Sequence, residues 1–405
     1  MKIRYFLFFL LVIIISCTEK KENEIQNNIE LKIIKADTLE KIIQPEKQII
    51  IIEQPKQDIT KKMEYKKFTK GIYLTAYTIN KPKYYTILDS AEAAGINTLI
   101  FDLKNMNGHI FLRMQKTGFL TSENIKPIVD IEEVVKTAHE RNMRAVARVV
   151  MFHDQLTAQR DSTLRPENID GEVWKESKRK KASWLDSSNL QVQNTLLDII
   201  EVIAKKGVDE IQMDYVRFPT QGKISEAVFA FQKEDSLKAK TDSTYIFRQK
   251  SDIIMNFVSR AKMICDKYNV TLTADVFAIV SWQRFADINA TGQDIEKMTK
   301  HLNAIHPMIY SSHFAKDFGY RENLHNEPYF IVYKGSVLSK KYADSNCRII
   351  PYIQSNSWKV NYGYDYIAGQ IQAVIDSDSD GYILWNASNR YYQTFRWIKD
   401  FDNLN

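Results

Sequence analysis

Strand and helix patterns alternate eight times along this chain, from Lys70 to about Phe401. Short runs that are apolar, or that alternate apolar and polar residues, predict strands, and longer amphipathic runs predict helices. The predicted strands cover residues 71–79, 98–103, 144–152, 210–218, 271–280, 304–310, 348–354 and 381–385. The predicted helices that follow them cover residues 81–94, 130–142, 190–206, 244–268, 292–302, 328–343, 364–376 and 391–401. Eight such units in about 330 residues are typical of the (β/α)8 or TIM barrel, an α/β fold.

A doubly wound open sheet is the alternative arrangement for alternating strands and helices. That fold usually carries a glycine-rich phosphate-binding turn directly after its first strand. Here the first predicted strand runs on through residues 76–80, whose sequence AYTIN contains no glycine. Gly95 and Gly207 follow the first and third predicted helices, where a glycine usually ends a helix before a returning strand. The pattern therefore favours the closed barrel.

The N-terminus has the pattern of a secretory signal peptide. Residues 1–4 include two basic side chains, and the apolar run at 5–15 is shorter than the about 20 residues that a membrane-spanning helix needs. The end of this run resembles the lipobox of bacterial lipoproteins, which implies cleavage before Cys17 and lipidation of that cysteine. An ordinary signal peptide with an incidental cysteine is the alternative. We therefore predict a signal peptide at 1–16 and a lipid anchor in the cell envelope, on a bacterial membrane and facing the periplasm or the exterior.

Residues 17–68 are rich in Lys, Glu, Gln and Asn, contain few aromatic residues and keep no amphipathic period. This composition predicts a flexible tether between the anchor and a barrel at residues 69–402. Two cysteines fall within the barrel, Cys265 and Cys347. They could pair in an oxidising compartment or remain buried free thiols.

The balance of charge excludes several classes of partner. The net charge of +6 is small for 405 residues, and Lys and Glu are interspersed along the chain. A nucleic-acid binder would gather its basic residues in one stripe, so we expect no nucleic-acid partner. No His-x-His or His-Glu-x-x-His spacing is present, and we expect neither a metal nor another cofactor. The sequence indicates no particular oligomeric state.

The fourth predicted strand carries the most informative acidic residue. In the segment 210–219, EIQMDYVRFP, Asp214 lies near the end of a mostly apolar strand, and Pro219 cannot extend a central strand. A buried carboxylate is costly unless it is paired or used, and active-site residues of TIM barrels collect at the C-terminal ends of the strands. Asp214 is therefore a candidate catalytic residue. The alternative is an aspartate that braces the end of the strand.

Two further acids occupy similar places in other strands. Asp102 lies near the end of the second strand and Asp275 within the apolar fifth strand, and both are candidate catalytic residues. Asp102 could instead form an ion pair in the barrel wall with Lys104 or Arg148. Arg217 could neutralise Asp214, which would lower the pKa of that carboxyl.

Aromatic and polar residues recur at the same predicted rim and suit a sugar ligand. An aromatic face offers apolar area to a sugar ring, while amides and carboxylates bind its hydroxyls. Each tryptophan, taken singly, could equally fill the core. The candidate substrate-binding residues are Tyr77, Trp184, Arg217, Trp282, Tyr310, His313, Trp385 and Asn386.

Paired carboxylates beside aromatic walls suit the hydrolysis of glycosidic bonds. One acid protonates the leaving oxygen, and the other attacks the anomeric carbon or activates water. The two carboxyls must titrate apart, one held protonated and the other ionised. We expect Asp214, near Arg217, to be the ionised member and Asp275, in the more apolar strand, to be the acid.

Several segments of the sequence resemble one known family. They are residues 71–77 (GIYLTAY), 184–186 (WLD), 209–219 (DEIQMDYVRFP), 274–277 (ADVF), 307–310 (PMIY) and 385–389 (WNASN). Together they resemble the Putative glycosyl hydrolase domain family, long catalogued as a domain of unknown function. The resemblance covers Lys70 to about Asp400. It implies a TIM barrel similar to those of glycoside hydrolases, often in secreted or lipid-anchored bacterial proteins.

Three hypotheses for function follow from the sequence. The first is a lipid-anchored glycoside hydrolase acting on a polysaccharide or oligosaccharide. The second is a barrel that binds a glycan without cleaving it, in which Asp214 and Arg217 form a structural pair. The third is a metal-dependent hydrolase that uses residues such as His153 and His306 with the aspartates.

Overall fold

The computed structural model describes residues 62–177 and 179–404, which belong to one compact unit. Eight parallel strands form its centre. We number them β1 (Thr69–Leu74), β2 (Thr98–Lys104), β3 (Arg144–Val150), β4 (Glu210–Asp214), β5 (Thr271–Val276), β6 (Ala304–Pro307), β7 (Arg348–Ile349 and Tyr352–Gln354) and β8 (Gly381–Trp385).

The strands close into a barrel through the interrupted strand β7. Its first half pairs with β6, its second half pairs with β8, and β8 pairs with β1. Pro351 has no N–H to donate, and it separates the two halves. The ladder continues across the break, because Ile350 donates to the Ile305 carbonyl at 3.1 Å and Ile383 donates to the Pro351 carbonyl at 2.9 Å. The predicted (β/α)8 barrel is confirmed.

Helices connect the strands and cover the barrel. They are α1 (Ala76–Ile79), α2 (Lys83–Glu92), α3 (Ile131–His139), α4 (Gln155–Arg160), α5 (Leu190–Ala204), α6 (Ala230–Thr241), α7 (Lys250–Lys267), α8 (Phe285–Thr291), α9 (Ile295–Met298), α10 (Pro328–Tyr342), α11 (Tyr364–Asp376) and α12 (Tyr392–Leu404). Asp130 caps α3 by accepting from the Glu133 N–H, and Asn189 caps α5 in the same way. Within the described chain, no helix is both long and apolar enough to cross a membrane.

Five strands, β1, β3, β4, β5 and β6, end earlier than the sequence predicts, and a local reason is visible for β1, β4 and β5. After β1, the Thr75 side chain caps the helical turn α1, so that the chain leaves the sheet at Leu74. After β4, Tyr215 takes a left-handed conformation with φ of 52°, which an extended strand cannot include. After β5, a 3₁₀ turn begins at Ala278. These early ends place Asp214 at the last position of its strand.

The N-terminal end of the barrel is closed by a set of residues that we call the lower layer: Tyr65, Arg144, Glu210 and Thr271. Arg144 donates to the Glu210 carboxylate at 3.0 Å and to the Thr271 hydroxyl at 2.9 Å. The Tyr65 hydroxyl donates to the same carboxylate at 2.7 Å, and its ring lies 3.9 Å from the Arg144 guanidinium. Residues 62–68, the end of the predicted tether, thus contact the base of the barrel.

Both cysteines of the barrel are buried free thiols. Burial raises the pKa of each, Cys265 and Cys347, to about 12, so that both stay protonated at neutral pH. The predicted signal peptide, Cys17 and the tether before Lys62 lie outside the described residues.

Candidate active site

Three carboxyl groups converge on one arginine at the C-terminal end of the barrel. We call this set, Arg148, Asp102, Asp214 and Asp275, the upper layer. Arg148 donates through Nη1 to Asp102 Oδ1 at 2.5 Å and through Nη2 to Asp214 Oδ2, and its Nε lies 3.8 Å from Asp275 Oδ2. All four side chains are buried. The aspartates come from β2, β4 and β5, so the closed sheet brings together residues that are far apart in the chain.

Asp214 is held on both of its carboxylate oxygens. Arg148 bonds Oδ2, and the backbone N–H of Tyr215 donates to Oδ1 at 2.6 Å. The left-handed backbone of Tyr215, unusual for a bulky residue, is what turns this N–H towards the carboxylate. Both oxygens therefore accept a hydrogen bond, and the two bonds fix the orientation of the carboxyl group.

Asp102 has a similar pair of donors. Its Oδ1 accepts from Arg148, and its Oδ2 accepts from the Tyr73 hydroxyl at 2.6 Å. Burial nevertheless raises the pKa of this carboxyl, because the loss of hydration outweighs the attraction of Arg148 and the hydrogen bond from Tyr73. Tyr73 in turn stacks on Trp385, with ring centroids 4.4 Å apart.

Asp275 is the least compensated of the three acids. It is 1% exposed, and its Oδ1 has no hydrogen-bond partner in the described structure. Burial, followed by repulsion from Asp214, raises the pKa of Asp275 well above the ordinary value. Because one arginine faces three carboxyls, keeping a proton on Asp275 reduces the excess negative charge. The buried Asp275, with its raised pKa, thus lies beside Asp214, whose carboxyl is paired with Arg148.

A cavity of about 840 Å³ opens above the upper layer. Asp102, Arg148 and Asp214 form part of its wall, whereas Asp275 lies outside the wall. Its size suits a small ligand or several sugar rings, and its walls offer broad apolar faces. The aromatic wall residues include Tyr73, Tyr77, Phe277, Tyr310, Phe314 and Trp385.

Residues 71–391 match the family described as Putative glycosyl hydrolase domain. The chain belongs to this family. The match covers all eight strands except the first two residues of β1, together with the loops that form the cavity. No curated protein matches the chain in sequence.

Solved structures of glycoside hydrolases share the fold of this glycosyl hydrolase domain. The glycoside hydrolase domain of PgaB (BpsB) from Bordetella bronchiseptica is 9% identical, with a TM-score of 0.59, over 82% of this chain and 98% of that chain. The β-galactosidase of Marinomonas ef1 is 8% identical, with a TM-score of 0.56, over 83% and 59%. The β-amylase catalytic domain of Paenibacillus polymyxa is 9% identical, with a TM-score of 0.52, over 80% and 94%. At such identities the similarity is one of fold.

Five of the eight candidate substrate-binding residues line the cavity of the domain. These are Tyr77, Arg217, Tyr310, His313 and Trp385. Tyr310 and Trp385 lie roughly parallel, with an interplanar angle of 29° and centroids 6.4 Å apart. Together with the Tyr73 ring beneath Trp385, they form an aromatic wall close to the three acids.

The other three candidates lie behind the wall. Trp184 is buried, and its ring lies 4.7 Å from the Arg217 guanidinium. Trp282 packs on Phe314 and Phe318, which do line the cavity. The Asn386 side chain is used in loop-to-backbone contacts. Its amide donates to the Ser355 carbonyl after β7 at 2.6 Å and to the Arg390 carbonyl of its own loop at 3.0 Å, and its oxygen accepts from the Ser388 N–H at 2.9 Å.

One of the two predicted charge partners differs in the structure. Asp214 pairs with Arg148 rather than with Arg217, whereas Asp102 pairs with Arg148, one of the two partners that the sequence suggested for it. Lys104 instead forms a fully buried pair with Asp154 at 3.1 Å. Arg148 and Tyr73, which contact acids of the upper layer, were not among the candidate site residues. The alternation of strand β3 did place Arg148 on the same face as Arg144, which was the available signal.

The described residues contain no group of three or more His, Cys, Asp or Glu side chains arranged to hold a metal ion. His306, one of the candidates, approaches the Ile350 carbonyl with Nδ1 at 3.0 Å. His153 Nδ1 lies 3.1 Å from the Met106 carbonyl. Both rings are therefore engaged by the backbone.

Proposed function

We propose that this protein is a glycoside hydrolase that cleaves a polysaccharide or oligosaccharide with a pair of aspartates. The observation that carries the proposal is the convergence of three carboxyls on Arg148 at the floor of an aromatic-walled cavity. Family membership and the shared fold support glycoside hydrolase-like chemistry at this end of the barrel. The substrate and the roles of the acids are our proposal.

Asp214 is the residue that we assign to the ionised role. It lines the cavity, and its two donors stabilise negative charge on the carboxylate. It would attack the anomeric carbon directly or take a proton from the attacking water. In either case the leaving oxygen takes its proton from a second carboxyl.

Two acids compete for the role of proton donor. Asp275 has the raised pKa that this role requires and an unpartnered oxygen, but it lies behind the cavity wall. Asp102 also has a raised pKa and lines the cavity, but both of its oxygens already accept hydrogen bonds. We assign the role to Asp275, because its unpartnered oxygen can carry a proton, whereas a proton on Asp102 would disturb its bonds from Arg148 and Tyr73.

The first experiment measures new reducing ends when purified full-length protein is incubated with cell-wall and dietary polysaccharides. We expect the wild-type protein to release them from at least one glycan, and Asp214→Asn to lower the rate by about 10²–10⁴-fold. The circular dichroism spectrum and melting temperature of the variant should show that it is folded. A folded Asp214→Asn protein with full activity would refute the role of Asp214.

The proton donor can be identified with a substrate that does not need protonation. A dinitrophenyl glycoside of the sugar released in the screen has a leaving group that departs without an acid. We expect Asp275→Asn to lose activity on the glycan while keeping most of its activity on the dinitrophenyl glycoside. Asp102→Asn should lose both activities to a similar extent, and the opposite pattern would transfer the role to Asp102.

One observation favours a barrel that binds glycan without cleaving it. Both oxygens of Asp214 are hydrogen-bonded, as in a residue that only braces its strand. On this alternative, the same aromatic wall would bind sugar, and Asp214→Asn would leave the dissociation constant unchanged. A glycan array that detects binding, together with no release of reducing ends by the wild-type protein, would establish it.

We also propose that the protein is anchored to a bacterial membrane through Cys17, facing the periplasm or the exterior. The proposal rests on the signal-like residues 1–16 and the lipobox-like run before Cys17. Radiolabelled palmitate should label the wild-type protein and not Cys17→Ser. Equal labelling of both proteins would exclude this site of lipidation.

A further inference from the structure

Arg217 is a cation in the cavity wall that forms no ion pair with an acidic side chain of the described structure, although Asp214 attracts it from beyond ion-pair distance. Its Nη1 donates to the Phe218 carbonyl at 3.0 Å and lies 3.4 Å from the Thr220 hydroxyl, and it forms no ion pair with a described residue. The other arginines of the wall differ in this respect. Arg148 binds the aspartates of the upper layer, and Arg284 binds Asp287 at 2.6 Å.

Aromatic rings hold Arg217 in place. Its guanidinium lies 4.7 Å from the centroid of Trp184, 5.0 Å from that of Phe277 and 5.3 Å from that of Tyr215. Contacts of this kind fix a cation without neutralising its charge. They also remove much of its hydration, which lowers the pKa of Arg217 from its usual high value but leaves the group charged at any physiological pH.

The usual structural role for such an arginine is already filled. An arginine three residues after Asp214 would be expected to neutralise that carboxylate, but Arg148 does so instead. A half-buried cation without an acidic partner loses hydration and gains no ion pair in return. Its planar fork of donors matches a carboxylate or sulfate, which would supply the missing charge.

We infer that Arg217 binds an anionic substituent of the glycan, so that the substrate class is an acidic polysaccharide carrying carboxylate or sulfate groups. This inference rests on the proposed function, since it assigns a substrate class to the same cavity. Asp214 and Arg217 both line that cavity, so one sugar chain can contact both. Trp184, which the sequence predicted to stack on sugar, then has a different role: it packs against Arg217 and holds the guanidinium in place.

The test compares matched glycans that differ only in charge. Oligogalacturonate, hyaluronan and carrageenan oligosaccharides are each paired with their carboxyl-reduced or desulfated counterparts. Calorimetry with full-length Asp214→Asn protein, which prevents turnover, measures each dissociation constant. We expect at least one charged glycan to bind about tenfold or more tightly than its neutral counterpart. The preference should weaken as ionic strength rises. A preference in the uronate pairs would identify a carboxylate, and one in the carrageenan pair a sulfate ester.

Variants of Arg217 and Arg284 show which arginine causes the preference for charged glycans. Arg217→Gln, made in the Asp214→Asn protein, should remove the preference for the charged glycan, and Arg217→Lys should retain part of it. Arg284→Gln is the matched control, because it removes a cavity arginine that already has an acidic partner, and it should keep the preference.

The outcomes separate this inference from the function on which it rests. Equal binding of charged and neutral glycans, or a preference that survives Arg217→Gln, would overturn the inference. If the wild-type protein also released reducing ends from a neutral glycan, the proposed hydrolase would stand without it. A failure to bind or cleave any glycan would overturn both proposals.

Discussion

The barrel encloses two arginines from the same strand, and their surroundings differ in the balance of charge. Arg144, in the lower layer, faces the single carboxylate of Glu210 and is closed off by Tyr65. Arg148, four residues further along β3, faces three carboxyls and adjoins the open cavity. An ion pair with equal and opposite charges, closed off from solvent, is typical of a purely structural contact. An excess of buried acid is costly for stability, and such excess is typical of functional sites.

The two layers share an arginine from β3 and an acid from β4. Strand β4 contributes Glu210 to the lower layer and Asp214 to the upper layer, just as β3 contributes the two arginines. Because side chains alternate across a strand, positions four apart face the same side, about 13 Å from each other. A tyrosine hydroxyl also donates to one carboxylate of each layer, that of Tyr65 to Glu210 and that of Tyr73 to Asp102. Arg148 and Asp214 thus each have a chemically similar control in the lower layer, Arg144 and Glu210.

The largest expected effect comes from replacing each arginine with methionine. Arg144→Met leaves the Glu210 carboxylate buried without its partner, and we expect the free energy of unfolding to fall by about 3–5 kcal/mol. Activity per folded molecule should be retained. Arg148→Met should instead lower turnover of the glycan by about 10²–10⁴-fold. Its loss of stability should be smaller, because cavity water and proton uptake can compensate the aspartates. Denaturant titration and reducing-end assays measure the two quantities.

The opposite assignment would follow from a simple result. If Arg144→Met lost turnover while Arg148→Met lost only stability, the chemistry would lie at the N-terminal end of the barrel. Equal loss of both properties in both variants would mean that the interior acts as one unit and that the division into layers has no functional meaning.

The second prediction concerns how stability depends on pH. This dependence should have opposite signs for Glu210 in the lower layer and Asp275 in the upper layer. Burial alone would raise the pKa of Glu210, but His306, Arg144 and Tyr65 hold it at about 2. The lowered pKa of Glu210 stabilises the folded protein at any pH above about 4.3, the pKa of a glutamate in the unfolded chain. This contribution is about 3 kcal/mol at neutral pH, and it is lost as pH falls from about 4.3 towards 2. Glu210→Gln should therefore be strongly destabilising at pH 7 and much less so at pH 2–3.

Asp275 should behave in the reverse manner. Its raised pKa means that the folded state keeps a proton that the unfolded chain releases above about pH 4, so stability falls as pH rises towards the folded pKa. Asp275→Asn should become more stable relative to wild type with rising pH, by up to about 1.4 kcal/mol per pH unit. Denaturant titrations of both variants from pH 3 to 8 provide the comparison. Parallel pH profiles would show that the two carboxyls share one environment.

The sequence predicts this arrangement in part. Counting alternate residues along predicted strands was sufficient to place Asp102, Asp214 and Asp275 at one end of a barrel. It was not sufficient to identify Arg148 as their common partner, because Asp275 reaches it from a strand that is not its neighbour, which depends on the curvature of the closed sheet. The early end of β4 was also hidden, since nothing in the local sequence requires a left-handed Tyr215.

The tryptophans show where loop packing decides the outcome. Trp385 is the last residue of β8 and reaches the cavity as predicted, whereas Trp184 and Trp282 lie in long connections between strand and helix. As aromatic residues on predicted loops, these two tryptophans were expected to contact sugar. The folded loops instead place them behind the residues that line the cavity. Residues on a strand follow its alternation, while residues on a loop depend on contacts that no local period encodes.

The smallest effect should come from removing the one tyrosine hydroxyl that donates to each layer. This pair of variants should also distinguish most clearly a loss of activity in the upper layer from a loss of stability in the lower layer. Tyr73→Phe removes the 2.6 Å hydrogen bond to Asp102, and Tyr65→Phe removes the 2.7 Å bond to Glu210, while both aromatic rings remain. A hydrogen bond to a charged group contributes about 1.5–3 kcal/mol. In Tyr65→Phe we expect that loss in the free energy of unfolding, with unchanged kcat. In Tyr73→Phe we expect kcat to drop about tenfold, because Asp102 loses a fixed position and Arg148, which it binds, does so too. The loss of stability should be smaller than in Tyr65→Phe, because cavity water can replace the hydroxyl. A Tyr73→Phe protein with normal kcat and reduced stability would make the upper layer a second scaffold and would leave the charge imbalance around Arg148 without a function.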